Sequence, residues 1–283
     1  MKLIELLYLL FNNKRFIIGF GIIFFELILA FMGPLLYPVD PFDTNNPPSL
    51  PPSEEHPFGT DRFGKDVFAL VVYGIRNSLY VGVLTGTFTI LIGLTVGLVA
   101  GIRGGIVDEV LMSFTNVVMI IPNVLLAILI LTYVGVERSG LELVAAVLSI
   151  TTWTGFARAV RAQILSLRER EFIYLSRMAG FSSIKIAFQD LLPHLATFIL
   201  ISFVNYMNVG INGEVGLSIL GLTSISIVTL GKLLYFAAIT QAFLFGQWWT
   251  FLIPGAILIL LSASLLLIAT AIDEVFNPRL RRM

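Results

Sequence analysis

The chain alternates between long apolar runs and shorter polar intervals. The first run covers residues 16–36, and five more follow at residues 78–101, 110–134, 143–160, 195–212 and 250–272. An α-helix rises about 1.5 Å per residue, so about 20 residues cross a hydrocarbon layer of about 30 Å. We therefore predict an all-α membrane protein with six transmembrane helices and both termini on the same side.

The intervals between these runs predict the remaining organisation. Residues 1–15 form an amphipathic start, and residues 37–77 form an ordered loop outside the membrane, because their many prolines lack amide donors. The permease core, residues 78–272, contains the other five spans and a polar loop at residues 161–193. Residues 273–283 form a tail. Under this topology Lys and Arg outnumber Asp and Glu on the side of the termini, which predicts cytoplasmic termini.

Composition supports membrane insertion and excludes several classes of function. Hydrophobic residues make up 57% of the chain and charged residues 13%, so lipid must cover part of the apolar surface. A formal net charge of zero gives no basic footprint for nucleic acid. The chain has no Cys, and His56 and His194 lie too far apart to indicate a metal centre. We predict no metal or cofactor site on this chain.

Polar residues within the spans are candidates for a translocation path. Ser202, Asn205, Asn208 and Asn212 follow helical spacing along the fifth span, and Asn116 and Asn123 lie seven residues apart in the third, where Pro122 predicts a kink. Such a stripe faces either protein or water, so hydrogen bonding between helices and path lining both remain open. Glu26, in the middle of the first span, has the same two interpretations.

Two glycine-containing stretches have alternative interpretations as well. The second span carries a face of glycines that suits close helix packing or, less well, a path lining, namely Gly82, Gly86, Gly93, Gly97 and Gly101. Residues 213–249 are apolar but broken by glycines. They form a re-entrant or interfacial segment, or a pair of short spans.

The polar interval at residues 168–193 predicts two short helices joined by a turn. Gly180 ends the first helix, Ser182 or Ser183 caps the second, and Pro193 opens the next span. On composition alone, a plain structural loop is an equally good interpretation.

Several motifs resemble one family and occur in its order. Glu171, Gly180 and Leu192-Pro193 resemble the cytoplasmic EAA loop of permease subunits in binding-protein-dependent ABC importers. Residues 56–67 (HPFGTDRFGKDV) resemble the HPxGTDxxGRDV signature of the C-type permease in the dipeptide, oligopeptide and nickel transport family. Similar matches occur at residues 101–108 (GIRGGIVD), 153–161 (WTGFARAVR), 214–222 (EVGLSILGL) and 277–281 (NPRLR).

The resemblance implies a type I ABC importer fold in a prokaryotic cytoplasmic membrane, with short coupling helices between spans four and five. It implies three kinds of partner besides lipid: a homologous second permease, two cytoplasmic ATPase subunits and an extracytoplasmic solute-binding protein. The chain has no GxxxxGK followed by Ser or Thr, so ATP and Mg²⁺ are expected on the partner subunits and catalytic residues are not expected here.

The resemblance assigns the residues of the docking site and adds Glu214 to the path residues inferred from spacing. The ATPase-docking residues are Glu171, Tyr174, Leu175, Arg177, Ala179, Gly180, Phe181, Leu192 and Pro193. The path residues are Asn116, Asn123, Ser202, Asn205, Asn208, Asn212 and Glu214. Tyr174-Leu175-Ser176 stands where the family has Glu-Ala-Ala, which implies a docking contact made more by shape and apolar burial than by charge.

The expected function is permeation of peptides or oligosaccharides, and nickel is a further substrate of the family. An ion-coupled secondary transporter and a non-transporting assembly subunit are the alternatives. A secondary transporter predicts inverted repeats and more ionisable residues within the spans than Glu26 alone. Co-purification of ATPase subunits distinguishes the importer from both alternatives.

Overall fold

The computed structural model describes residues 8–276, and the regular secondary structure there is helical apart from one isolated bridge between Thr60 and Asp66. The predicted start at residues 1–7 and the motif at residues 277–281 lie outside the described residues. The helices are α1 (Lys14–Leu36), α2 (Val67–Arg103), α3 (Gly105–Ile120), α4 (Asn123–Val134), α5 (Leu141–Arg168), α6 (Glu171–Met178), α7 (Ser183–Ile186), α8 (Leu192–Ile219), α9 (Leu230–Ile239) and α10 (Trp249–Phe276).

Five helices of the described chain are long and apolar enough to cross a membrane, or six if the bent pair α3–α4 is one span. The five are α1, α2, α5, the continuous helix Ser183–Ile219 and α10. The beginning of α1 lies beside the end of α10, where the Asn13 amide donates to Glu274 Oε2 at 2.8 Å. Both described chain ends therefore lie at one end of the bundle.

The third predicted span is broken rather than kinked. Residues 110–134 form parts of α3 and α4, whose axes differ by 79°. Ile121 precedes Pro122 and has an extended backbone with ψ 120°, because the proline ring disfavours the helical region for the residue before it. The prediction of one helix through residues 110–134 was wrong at this point.

Two predicted loops are shorter than expected. Helix α2 begins at Val67, so the last part of the predicted loop at residues 37–77 is helical. Asp66 sets this boundary, since its carboxylate accepts from the Ala69 amide at 2.9 Å as an N-cap. Helix α5 continues to Arg168, because no Gly or Pro interrupts the sequence after Gly155 until the α6 segment. The predicted loop at residues 161–193 therefore loses its first turns.

Pro193 lies in the first turn of α8, as predicted, but α8 continues from α7 without a break. A π-helical turn, Ala187–Leu191, joins α7 to α8, and the amide of Leu192 donates to the Ala187 carbonyl. Pro193 has no N–H, and this wider turn lets the helix pass the missing hydrogen bond without ending. The second short coupling helix is thus the first turn of a long span.

The segment at residues 213–249 contains no additional span. Its first residues complete α8, which ends at Ile219. Helix α9 has 10 residues, and at about 1.5 Å each it is about 15 Å long, too short to cross the hydrocarbon layer. Leu230 of α9 donates its amide to Ser78 Oγ of α2 at 3.0 Å, so α9 packs beside the start of α2.

Glycines on α2 make close helix packing possible. A Cβ on Gly97 would lie 2.5 Å from the Ala157 carbonyl of α5, and one on Gly93 would lie 2.8 Å from the Trp153 carbonyl. Further along, a Cβ on Gly82 would meet Ile211 of α8 at 2.8 Å. The glycine face of α2 therefore packs against α5 and α8.

Candidate docking segment and translocation face

The predicted docking segment lies at the end of the bundle where α2 and α5 end. Arg168 of α5 donates to the Gly101 carbonyl of α2 at 2.7 Å, and Arg161 binds both carboxylate oxygens of Asp108 at 2.5 Å. Ile173 of α6 is fully buried in the core beneath this end. The two arginine contacts fix the end of α5 to α2 and α3, and the buried Ile173 fixes α6 to the same end of the bundle.

The turn after α6 has the predicted glycine geometry. Gly180 has φ +78°, and the amides of Gly180 and Phe181 donate to the carbonyls of Arg177 and Ser176 at 2.9 and 3.1 Å. This pair of bonds is the Schellman motif, which favours glycine at the left-handed position. Ser182 Oγ then accepts from the Lys185 amide at 3.3 Å and caps α7.

Large apolar side chains on this segment are exposed. Tyr174, Leu175 and Met178 of α6 have exposed fractions of 60%, 66% and 84%, and Ile184 and Phe188 follow with 73% and 64%. A contiguous exposed apolar surface of this kind indicates a binding face for another protein. The other predicted residues of the turn are also exposed: Glu171, Arg177, Ala179, Gly180 and Phe181.

Leu192 and Pro193 lie at the start of α8, behind the exposed tip, where Leu192 is half-buried and Pro193 is exposed. Phe172 of α6 stacks on the His194 ring with centroids 4.7 Å apart. A groove of about 760 Å³ runs along α6 and the start of α8, and both rings line it. Sequence reasoning missed Phe172 and His194, since no spacing in the sequence signals a ring pair 22 positions apart.

Three asparagines of α8 share an outward face. Asn212 Nδ2 donates to Asn208 Oδ1 at 2.7 Å and to Ser262 Oγ of α10 at 3.2 Å, and Asn205 is exposed further along. Ser202 is almost wholly buried, so it belongs to the packing rather than to this face. Asn116 and Asn123 are exposed but lie on α3 and α4, on either side of the bend.

Glu214 does not share the asparagine face. It follows Asn212 by two residues, which at 100° per residue places it on the opposite side of the helix. It is fully buried, and its Oε1 accepts from Ser218 Oγ at 2.5 Å and Thr229 Oγ1 at 2.6 Å. Glu214 therefore ties α8 to the start of α9, which corrects its assignment to the path.

A structured segment at residues 37–66 covers the opposite end of the bundle. The buried Asp66 carboxylate accepts from Tyr37 OH at 2.8 Å and lies 2.8 Å from His56 Nδ1. Partial burial and the Asp66 contact raise the pKa of Tyr37 to about 12. The Trp249 indole donates to the Thr60 carbonyl at 3.0 Å, which attaches the segment to α10.

Two glycines let this segment fold tightly. Gly59 and Gly64 have φ +73° and +80°, and a Cβ there would lie 2.4 Å from the Leu50 carbonyl and 2.3 Å from the Asn46 carbonyl. Only glycine fits such positions without moving the backbone. The signature at residues 56–67 thus encodes a compact cap on the helices. Sequence reasoning had assigned it a family but no structural role.

Comparisons with known proteins match most of the chain. The family described as "Binding-protein-dependent transport system inner membrane component" matches residues 93–282, and "N-terminal TM domain of oligopeptide transport permease C" matches residues 5–52. The dipeptide transport system permease protein DppC of Bacillus subtilis is 32% identical over 273 residues, which are 96% of this chain and 84% of that protein.

Two further relatives have the same level of identity. The oligopeptide transport system permease protein AmiD of Streptococcus pneumoniae is 32% identical over 280 residues, which cover 96% of this chain and 88% of that protein. The oligopeptide transport system permease protein OppC of Bacillus subtilis is 32% identical over 212 residues, covering 75% and 68%.

Proposed function

The chain belongs to the family of inner membrane components of binding-protein-dependent transport systems, and we propose that it is the permease subunit of an ATP-driven peptide importer. Relatives named as dipeptide and oligopeptide permeases support peptides as the substrate class. The topology is the one expected from charge, with both termini and α6 in the cytoplasm of a prokaryote and the segment at residues 37–66 outside.

The observation that carries this proposal is the exposed apolar surface of α6 and α7. Tyr174, Leu175 and Met178 have no partner within the described chain that covers them. Two cytoplasmic ATPase subunits, which bind ATP and Mg²⁺, supply the partner: one of them buries this surface and pushes on α6 when the pair closes. Burial of a leucine-sized side chain contributes about 1.5–3 kcal/mol, so several such side chains together supply the apolar part of the docking contact.

Force from the docked ATPase reaches the spans through the contacts of α5 and through the continuous helix of α7 and α8. Arg161 and Arg168 connect the end of α5 to Asp108 and to the end of α2, while the π turn makes α7 continuous with α8. A push on α6 and α7 therefore tilts α5 and α8 as levers, which is the alternating access expected for this class.

A second, homologous permease completes the path. One chain leaves Asn205, Asn208 and Asn212 uncovered on an otherwise apolar helix, and amides at membrane depth require protein or water beside them. We infer that these residues face the path between the two permeases. The solute-binding protein delivers the peptide at the end closed by residues 37–66.

Co-purification tests the assignment of partners. The chain, extracted in mild detergent from cells that express the whole transport operon, is expected to bring down ATPase subunits and a second permease in stoichiometric amounts. Leu175→Asp is the test variant, because it places a charge in the contact. Leu175→Met is its matched control, because it changes the same residue but keeps the side chain apolar. Absence of ATPase subunits from the wild-type preparation would reject the importer and favour an ion-coupled transporter or an assembly subunit.

A further inference from the structure

A groove of about 670 Å³ runs along the bundle between α1 and α2. Its walls are apolar side chains within two predicted spans, with Ile23, Leu27 and Phe31 on α1 and Leu79 and Val83 on α2. A groove of this size and chemistry at membrane depth matches a hydrocarbon chain rather than a polar solute.

One end of the groove carries a cation without a counterion. Arg76 is the one charged residue of α2 before Arg103, it is exposed, and it forms no hydrogen bond or ion pair with any other residue between Tyr8 and Phe276. The ring of Phe31 lies beneath it, with the guanidinium carbon 5.9 Å from the ring centroid.

The two polar side chains nearest to Arg76 in sequence already donate hydrogen bonds to other residues. The Asn77 side chain donates to the Val228 carbonyl at 2.7 Å, and Tyr80 OH donates to Glu142 Oε1 at 3.0 Å. No acceptor among residues 8–276 lies within hydrogen-bond or ion-pair distance of the Arg76 guanidinium. The guanidinium, with five N–H donors in a planar fork, therefore points to an anion that the chain itself does not supply.

Helix contacts place Arg76 beside α1, at a level within the predicted span of residues 16–36. A Cβ on Gly33 of α1 would lie 2.9 Å from Val72 of α2, so the two residues are at the same level. Arg76 comes one helical turn after Val72, about 6 Å deeper into the bundle. Charged side chains at such depth are expensive unless they are paired.

We propose that this groove binds an anionic phospholipid of the leaflet on the side of residues 37–66, with its phosphate on Arg76 and one acyl chain along Phe31, Leu27 and Ile23. The net negative headgroup neutralises the cation, and the acyl chain fills the space that α1 and α2 leave open. The lipid thereby joins α1 to the rest of the bundle.

Lipid titration of the assembled, delipidated complex tests this site. Native mass spectrometry counts bound phosphatidylglycerol and phosphatidylcholine with identical acyl chains. One site is expected to prefer phosphatidylglycerol by at least about tenfold, a difference of about 1.4 kcal/mol. Arg76→Gln should abolish that preference, and Arg76→Lys should retain most of it. Leu27→Trp, which fills the groove, should weaken binding of both lipids.

The matched control is Arg138→Gln, which removes another exposed arginine, outside the groove, in the turn before α5. It should bind both lipids as the wild type does. The proposal is overturned if the wild type shows no preference, if Arg76→Gln keeps it, or if Leu27→Trp binds lipid normally. Normal binding by Leu27→Trp would mean that the counted lipid binds the complex outside this groove.

Discussion

Individual side chains fix the segment at residues 37–66 to the helices. Asp66 caps α2 through the Ala69 amide and also accepts from Tyr37 OH, so one buried carboxylate joins the end of α1, the loop and the start of α2. Charge-assisted hydrogen bonds of this kind are stronger than neutral ones. The loop is therefore held in one shape at the proposed entrance of the path.

The raised pKa of Tyr37 gives a pH prediction. Its folded value of about 12 lies above the ordinary value of 10.0, so the hydrogen bond to Asp66 contributes stability in full below pH 10. That contribution is lost as the pH rises through 12. The difference in tyrosinate absorbance between wild type and Tyr37→Phe isolates this group. Titration of Tyr37 near 10 in the wild type would contradict the contact, and Asp66→Asn should move its pKa only part of the way toward 10, because burial is the larger cause of the raised pKa.

Glu26 predicts a stabilising substitution. It is buried in α1, and neither carboxyl oxygen has a hydrogen-bond partner among the described residues. An unpaired buried polar group costs about 1–3 kcal/mol, so Glu26→Leu should raise the thermal unfolding temperature of the purified protein. Glu54→Leu, at an exposed loop position, is the control and should leave it unchanged. Loss of transport by Glu26→Leu at unchanged stability would instead indicate a functional carboxyl group.

At the level of elements, apolar run length was enough to locate most spans, because a helix in lipid must be long and apolar. Pro122 predicted a kink but not a break of 79°, and run length could not reveal the π turn before Pro193, which depends on how the helix accommodates a missing amide donor. Glu214 shows the same limit at the site. The resemblance assigned it to the path, and only the contacts to Ser218 and Thr229 place it in the core.

The packing of α2 against α5 predicts a sharp contrast between two glycines. Gly97→Ala forces a methyl group to within 2.5 Å of the Ala157 carbonyl, and such overpacking costs about 1–3 kcal/mol. Gly21→Ala on α1 meets nothing within 4 Å and should be neutral or slightly stabilising, because alanine favours helix. Thermal unfolding of both variants measures the contrast. Equal stabilities would show that the two helices pack less closely than the structure has them.

The apolar character of the docking surface predicts its response to salt. Interactions between exposed charges are largely screened at about 1 M salt, where the Debye length is about 3 Å, whereas apolar contacts persist. ATPase subunits should therefore remain bound to the chain during a wash at about 1 M sodium chloride. Release of the ATPases by that wash would show that charges such as Glu171 and Arg177 dominate the contact.

At the level of the whole molecule, the two ends of the bundle differ in structure. One end is closed by a rigid cap around Asp66 and Thr60, and the other presents an apolar surface on α6 with levers formed by α5 and the continuous α7–α8 helix. Motif order was sufficient to predict the family, whereas the docking segment stays a prediction. The exposed fractions of individual side chains, rather than motif order, single out the surface proposed to couple ATP to transport.

Peptide uptake and ATP hydrolysis, measured together in proteoliposomes that contain the assembled complex, test the central claim most directly. Leu175→Asp places a charge in the proposed apolar contact, and we expect peptide uptake to fall at least about tenfold, the equivalent of about 1.4 kcal/mol. Leu175→Met should transport at the wild-type rate. Uptake by Leu175→Asp equal to that of the wild type would contradict the account, because force from the ATPases would then have to enter the chain elsewhere.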